Sequence, residues 1–485
     1  YWPGNTVHLL EDGRLLKAKR RFDDMEPSGI WAGGGGGTVE LRSWDNELLW
    51  TFTQNDSLRR LHHAVEPMPN GNVLMISWEQ KSGEEAIAMG RNPELLAQNR
   101  IWPDYLLEVD PETDSVVWEW HAWDHLIQDF DPTKANYGDP AEHPELIDFN
   151  YDTSEGHPDW MHVNAVDYNP ELDQIMISVP TFSEVWVIDH STTTEEAAGH
   201  TGGNSGKGGD LLYRWGNPAA YRQGTAEDQQ LFYPHDLHWV QQPGYEGTIA
   251  AYNNRVSPLF STAVFFKPDY IDATYEYPLQ DGRWGPAVAD RTVYHPDTFA
   301  MNSPILSSVQ VLPNDNLLIC SGRIGYSVEL TPENEVVWEY ITPLRGGSRV
   351  AQGELLGIND NLTFKMERYM PDYPAFEGRN LEPIGYIELE PNEDFCGIST
   401  SVTEAGEEGN AIRVFPNPLR DGILQVELPA SGAPAQLAVY NAYGQMVAAE
   451  RTEGPMIAMD LSAQPAGIYY LTVNGQASKS FIIAR

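Results

Sequence analysis

A few polar side chains sit where they could do chemistry together. His162 and Asn164 form a His-x-Asn pair at the head of Asp159–Val179, a stretch that otherwise reads as a strand, a turn at Tyr168–Glu171 and a second apolar strand. Alternation places His162, Asn164 and Val166 on one strand face. His235 opens His235-Asp236-Leu237-His238, and the strand that follows it, Ile249–Arg255, ends in Asn253, Asn254 and Arg255. A hairpin returns that end to the rim occupied by His235. An imidazole can serve as nucleophile or as acid and base. An arginine beside two histidines makes an anion site. The chemistry this set could do is the handling of an anionic group. No serine nucleophile elbow is visible, nor a metal-ligand trio. Thr201–Gly209 (TGGNSGKGG) lacks the full phosphate-loop spacing and no helix follows it, which excludes a nucleotide site of that type.

The elements that must position these residues repeat along the chain. An apolar strand, a Pro-Asn-Gly-Asn type turn and a second strand recur at Ala64–Ile76 and Val309–Cys320, and more loosely at Val7–Leu16. Aromatic-rich hairpins recur at Val39–Phe52, Leu106–Trp120 and Val328–Tyr340. Two hairpins make four strands, one blade of a β-propeller. Blades begin near Thr6, His62, His162, His235 and Ile305, with a sixth at Leu362–Tyr369. Counting back from Pro69, Pro170, Pro243 and Pro313 aligns Leu61, His162, His235 and Ile305 in one column, and His63, Asn164, Leu237 and Ser307 two residues on. A lone histidine is more often a satisfied core residue than a catalyst. Several at matching places on innermost strands favour a shared axial pocket. His63, Asn253 and Asn254 are the substrate-binding candidates beside it, and no metal ligand is expected. Insertions fall at His121–Asp159 and Thr192–Asp228, and Gly33–Gly37 reads as a flexible loop.

Composition agrees with an all-β chain of two domains. Its 485 residues include 42 Gly, 35 Pro and 15 Trp, and long amphipathic periodicity is absent. A net charge of −41 excludes nucleic acid and anionic membrane as partners. No apolar run reaches the length of a membrane span. From residue 411 to 485 five basic and five acidic residues balance, leaving 25 and 66 before them. That break, with the linker Ser399–Asn410, gives domains at 1–395 and 413–485 joined by 396–412. Cys320 reads as a buried thiol, and its pairing with Cys396 stays open. The chain starts at Tyr1 without a signal peptide, as a processed form would.

The stretches Trp160–Pro170, Gly203–Ala220, His235–Arg255, Ser307–Gly322 and Tyr369–Leu381 together resemble the bacterial arylsulfotransferase family. The resemblance implies a six-bladed propeller that moves a sulfuryl group between phenols through a sulfohistidine, without cofactor or metal. By motif it implies assisting roles for His162, Asn164 and His235, and sulfate-oxygen binding by Arg255. The family's nucleophilic histidine belongs in the strand before the Pro313 turn, where this chain has Ile305. His295 or His63 could substitute. The expectation from this departure is little or no turnover. The alternative is an inactive surface propeller that binds a glycan, a phenolic ligand or a protein, with a lyase or hydrolase using His162 and His235 a more distant reading.

The tail is similar to the C-terminal sorting domain of type IX secretion clients of Bacteroidetes. Phe415-Pro416-Asn417-Pro418, Val439-Tyr440-Asn441 with Gly444, Pro465–Tyr469 and the basic end Lys479…Arg485 carry that likeness. The tail's short alternating strands suggest a small Ig-like β-sandwich, and the likeness implies export to the surface or medium, with the secretion machinery as partner. The small-molecule partner implied by the propeller is an aryl sulfate or a phenol.

Overall fold

The computed structural model describes residues 2–20, 29–391 and 412–483, except 418, 420–421, 429–433, 442–445, 466 and 475. Cys396, the linker Ser399–Asn410, and parts of the tail motifs (Pro418, Gly444, Ala466 and the last two residues) lie outside the described residues. The chain divides into two compact units. One holds 1–256, 261–350 and 354–387; the other holds 388–485 with the short segments 257–260 and 351–353.

The first unit is a propeller. Among the described residues it contains five four-stranded antiparallel sheets. Their innermost strands are Trp2–Leu9, Arg59–Pro67, Ala165–Asn169, His235–Trp239 and Ser308–Val311. The sixth inner place is taken by the extended segment 362–369. It lies along the fifth blade, where Met366 N–H donates to Ser308 Oγ and Arg368 N–H to Gln310 Oε1. It also reaches the first blade, where the Leu9 N–H donates to the Tyr369 hydroxyl.

The repeat seen in sequence is a repeat of turn chemistry. In three blades the inner hairpin closes with the same pair of backbone bonds: Leu10 to Arg14 and Gly13 to Leu10, Met68 to Asn72 and Gly71 to Met68, Leu312 to Asn316 and Asp315 to Leu312. Each needs a left-handed residue in the turn, supplied by Gly13, Gly71 and Asp315. Outer hairpins do the same at Asn46 and Asn334. Adjacent blades are tied by carboxylates that accept backbone N–H groups of the next inner segment. Asp104 takes Val163, Asp167 takes Trp239, and Asp236 takes Val309. Between the second and third blades Trp118, Trp120, Trp160, Trp186 and Phe182 pack into one apolar cluster.

The second unit carries a three-stranded sheet (Arg413–Phe415, Ile423–Glu427, Met456–Asp460) and a four-stranded one (Met446–Thr452, Ala435–Asn441, Gly467–Val473, Gln476–Ile483). Leu424, Val426, Leu437, Val439, Leu471 and Phe481 form its core.

Candidate functional site

Where the chain enters the inner strands it adopts a left-handed turn that ordinary residues avoid. His63, His162, Asp236 and Leu306 all have φ between 49° and 60°. Such residues each cost about 1–3 kcal/mol and persist only where packing fixes them. At His162 the consequence is a change of face. The regular strand starts only at Ala165, so the alternation expected through His162 and Asn164 does not hold. Bulges at His62/Val65 and His235/His238 shift the count in two blades. In the other two Pro170 and Pro313 hold different turn positions, the first directly after the paired Asn169 and the second after the turn residue Leu312. Structurally His162 corresponds to His63, Asp236 and Leu306, and the column that set it level with Ile305 is displaced.

His162 stands at the floor of a cavity of about 700 Å³. Its Nδ1 is 2.5 Å from Asp159 Oδ2. Asp159 is itself held by the Trp78 indole, whose Nε1–H donates to Oδ1 at 2.9 Å. Among the described residues the His162 Nε2 has no hydrogen-bond partner. Burial works to lower the His162 pKa, but the adjacent Asp159 carboxylate outweighs it and the net shift is upward. Burial likewise works to raise Asp159, and the imidazole partner wins, holding it below the ordinary value. The pair therefore favours an ionic or strongly hydrogen-bonded state, with Nδ1–H on His162 whenever the ring is neutral.

The other clustered histidines are different. His63 is buried and packs edge-on against His162, ring centroids 4.7 Å apart. Its Nδ1 lies 2.8 Å from Nδ1 of His62, which stacks on Trp78 at 3.8 Å. Burial depresses both well below the usual range. His235 is sealed. Its Nδ1 lies 2.8 Å from Asn254 Oδ1, and its Nε2 accepts the Leu306 N–H at 3.1 Å. Burial pushes its pKa down to about 3, so it stays neutral with both nitrogens used.

Arg255 lines the same cavity as His162 and Asp159. Its guanidinium lies 3.5 Å over the Tyr233 ring, and Nε donates to the Pro304 carbonyl. Among the described residues no carboxylate pairs with it. The remaining residues named from sequence sit behind the wall. Asn164 is buried, donating to the Pro234 carbonyl and accepting from Ser178. Asn253 fixes the 230–232 segment through Gln230 and Phe232, and Asn254 holds the Ser303 and Leu306 carbonyls. Ile305 is half-buried and is not among the cavity walls, so its side chain does not reach the pocket as expected. His295 is also elsewhere, bonded to the Asp297 carbonyl and the Tyr326 hydroxyl.

Sequence reasoning missed Asp159 as partner of His162, and Tyr233, His157, Tyr151 and Asn217 as cavity walls. The i, i+3 spacing of Asp159 and His162 was a signal that could have been read. The Gly33–Gly37 loop was read as a flexible connection; instead Gly34 lies so close to His63 that a Cβ there would fall 2.1 Å from Nε2, and Gly33 backs onto His162.

Residues 47–257 match the family model described as arylsulfotransferase, and residues 413–484 match that of the secretion system C-terminal sorting domain. No curated protein matches the chain. Among solved structures, a protein of unknown function from Bacteroides caccae is similar at 13% identity and TM-score 0.36, covering 70% of this chain and 81% of its own. Virginiamycin B lyase from Staphylococcus aureus is similar at 6% identity and TM-score 0.32, covering 71% and 85%. No helix among the described residues is long and apolar enough to cross a membrane. The sorting domain marks the protein for export through the type IX machinery to the cell surface or medium. The propeller thus carries an arylsulfotransferase-family match over residues 47–257, and the tail is a type IX secretion sorting domain over 413–484.

Proposed function

We propose that the propeller transfers a sulfuryl group from an aryl sulfate to a phenol, with His162 as the nucleophile. The observation that carries this is the His162–Asp159 pair at 2.5 Å in the floor of a cavity that also presents Arg255. In the neutral ring Nδ1–H points at Asp159 and the Nε2 lone pair is left for the substrate. Nε2 attacks sulfur, an N–S bond forms, and the S–O bond to the aryl group breaks. The phenolate departs and takes a proton from solvent. Tyr233, whose hydroxyl is pushed up to about 12 by burial despite Arg255 beside it, keeps its proton and can donate a hydrogen bond in the cavity. Asp159 offsets the positive charge left on the sulfonated imidazole, and Arg255 offsets charge on the sulfuryl oxygens. A second phenol, losing its proton to solvent, then attacks sulfur and restores neutral His162. In this reading His235, Asn253 and Asn254 position the walls, residues 1–395 carry the chemistry, and 413–485 carry export across the 396–412 linker.

Ile305 supports a second reading, an inactive propeller that binds a phenolic ligand, glycan or protein. The two separate cleanly. Release of a chromogenic phenol from its sulfate ester, with a second phenol as acceptor, is measured for wild type, His162→Ala and Ile305→His. Turnover in wild type that falls by on the order of 10⁶ in His162→Ala supports the proposal. A silent wild type that gains activity in Ile305→His overturns it and leaves the inactive reading.

A further inference from the structure

Away from this cavity, two insertions meet at three potential ligand atoms. His125 lies in the short helical turn after the second blade, while His200 and Asp210 flank the glycine-rich loop inserted before the last strand of the third. Nδ1 of His125 is 2.9 Å from Asp210 Oδ1, and Nδ1 of His200 is 2.7 Å from the same oxygen. His125 is locked. Its Nε2 lies 2.8 Å from the Ala197 carbonyl, to which it can only donate, and its ring stacks on Trp120. A neutral His125 therefore turns its Nδ1 lone pair toward a carboxylate oxygen, and two acceptors face each other. Either a second ring proton or a metal ion between the two atoms resolves that opposition, and the second imidazole on the same oxygen suits a metal ion. A carbonyl that fixes the far nitrogen is also the usual support of a metal-binding histidine. Gly209 lets the loop approach: a Cβ there would fall 2.0 Å from the Ala197 oxygen and 2.6 Å from His125 Nε2.

We propose that His125, His200 and Asp210 bind one divalent transition ion of the zinc type. Two imidazoles and one carboxylate suit zinc better than calcium or magnesium, which take all-oxygen sets. The three atoms lie within 4.8 Å of one another. Bonds of about 2.0–2.2 Å to a tetrahedral zinc set ligand atoms about 3.3–3.6 Å apart, so the nitrogen–oxygen separations of 2.9 and 2.7 Å must open. The exposed His200 can swing to supply that opening. His200 also lines a cavity of about 340 Å³. The ion would staple the insertion after the second blade to the one in the third. This site is separate from the sulfuryl-transfer reading and does not depend on it. Sequence spacing hides it, because its two histidines belong to different insertions.

The test is titration of the full, metal-stripped chain with Zn²⁺ alone, read by calorimetry and by the rise in thermal midpoint. The expected result is one saturable site, weakened at least about 100-fold in His200→Ala and in Asp210→Asn. His143→Ala, at an exposed histidine of the same cavity, should leave it unchanged. Because His200 is on the surface, its variant should fold even if Asp210→Asn does not. Absence of saturable binding, or equal binding in wild type and His200→Ala, overturns the proposal.

Discussion

At the scale of single residues, the account turns on which imidazole keeps a usable lone pair. His235 opens the hairpin whose far end carries Arg255, but it spends both nitrogens on Asn254 and Leu306. His63 is covered by Gly34. His162 alone of this cluster combines a carboxylate partner, an upward pKa shift and a place in the cavity wall. A nucleophile must be neutral, and a raised pKa keeps the ring protonated until higher pH. The stabilisation from the His162–Asp159 pair is therefore full below the ordinary histidine value of 6.5 and is lost as pH rises through the raised folded value. The rate should rise through the same window. In Asp159→Asn the acid limb of the pH–rate profile should move to lower pH, and the plateau should fall by about 10²–10⁴-fold through loss of the fixed tautomer. An unmoved limb would separate Asp159 from the titration.

At the scale of elements, much was legible and the failures have one cause. Turn residues such as Gly71 and Asp315 mark the hairpins in sequence because only certain residues accept left-handed backbone. The turn prolines Pro69, Pro170, Pro243 and Pro313 fixed the counting that set His162 level with Ile305. The count fails because Pro170 directly follows the paired residue Asn169 whereas Pro313 follows the turn residue Leu312, so the prolines are not equivalent turn positions. It fails also because bulges at His62/Val65 and His235/His238 add residues in the other two blades without a readable residue signature. Insertions were located from the irregular spacing of the repeats, but not what they carry. Asp159, Tyr151 and His157 come from the end of the His121–Asp159 insertion, which Arg91 holds in place through Asp152 at 2.5 Å. The Gly33–Gly37 loop makes a sharper test. Gly34 has φ of 80° and no room for a Cβ beside His63, whereas Gly71 has φ of 91° with open space around it. Gly34→Ala should cost about 1–3 kcal/mol of stability and lower turnover, since His63 must move against His162. Gly71→Ala should leave turnover unchanged. Denaturant unfolding and the phenol-release assay on both variants decide the point.

At the scale of the whole molecule, a net charge of −41 surrounds a site that must accept an anion. The long-range field opposes encounter, and Arg255 acts only at close range. Raising ionic strength from low values should therefore increase kcat/KM for an anionic aryl sulfate; a steady decrease would mean that local attraction dominates. The division between propeller and tail was visible in charge, because export signals and binding surfaces need not share composition. Which histidine reacts was not, because it depends on packing between blades. The most direct measurement is the mass of the full chain after exposure to an aryl sulfate without acceptor, followed by fragmentation of the labelled peptide. The account predicts one added sulfuryl group on His162, removed when a phenol is supplied and absent in His162→Ala. A sulfuryl group on another histidine, or burst release of phenol with no group retained, would contradict it.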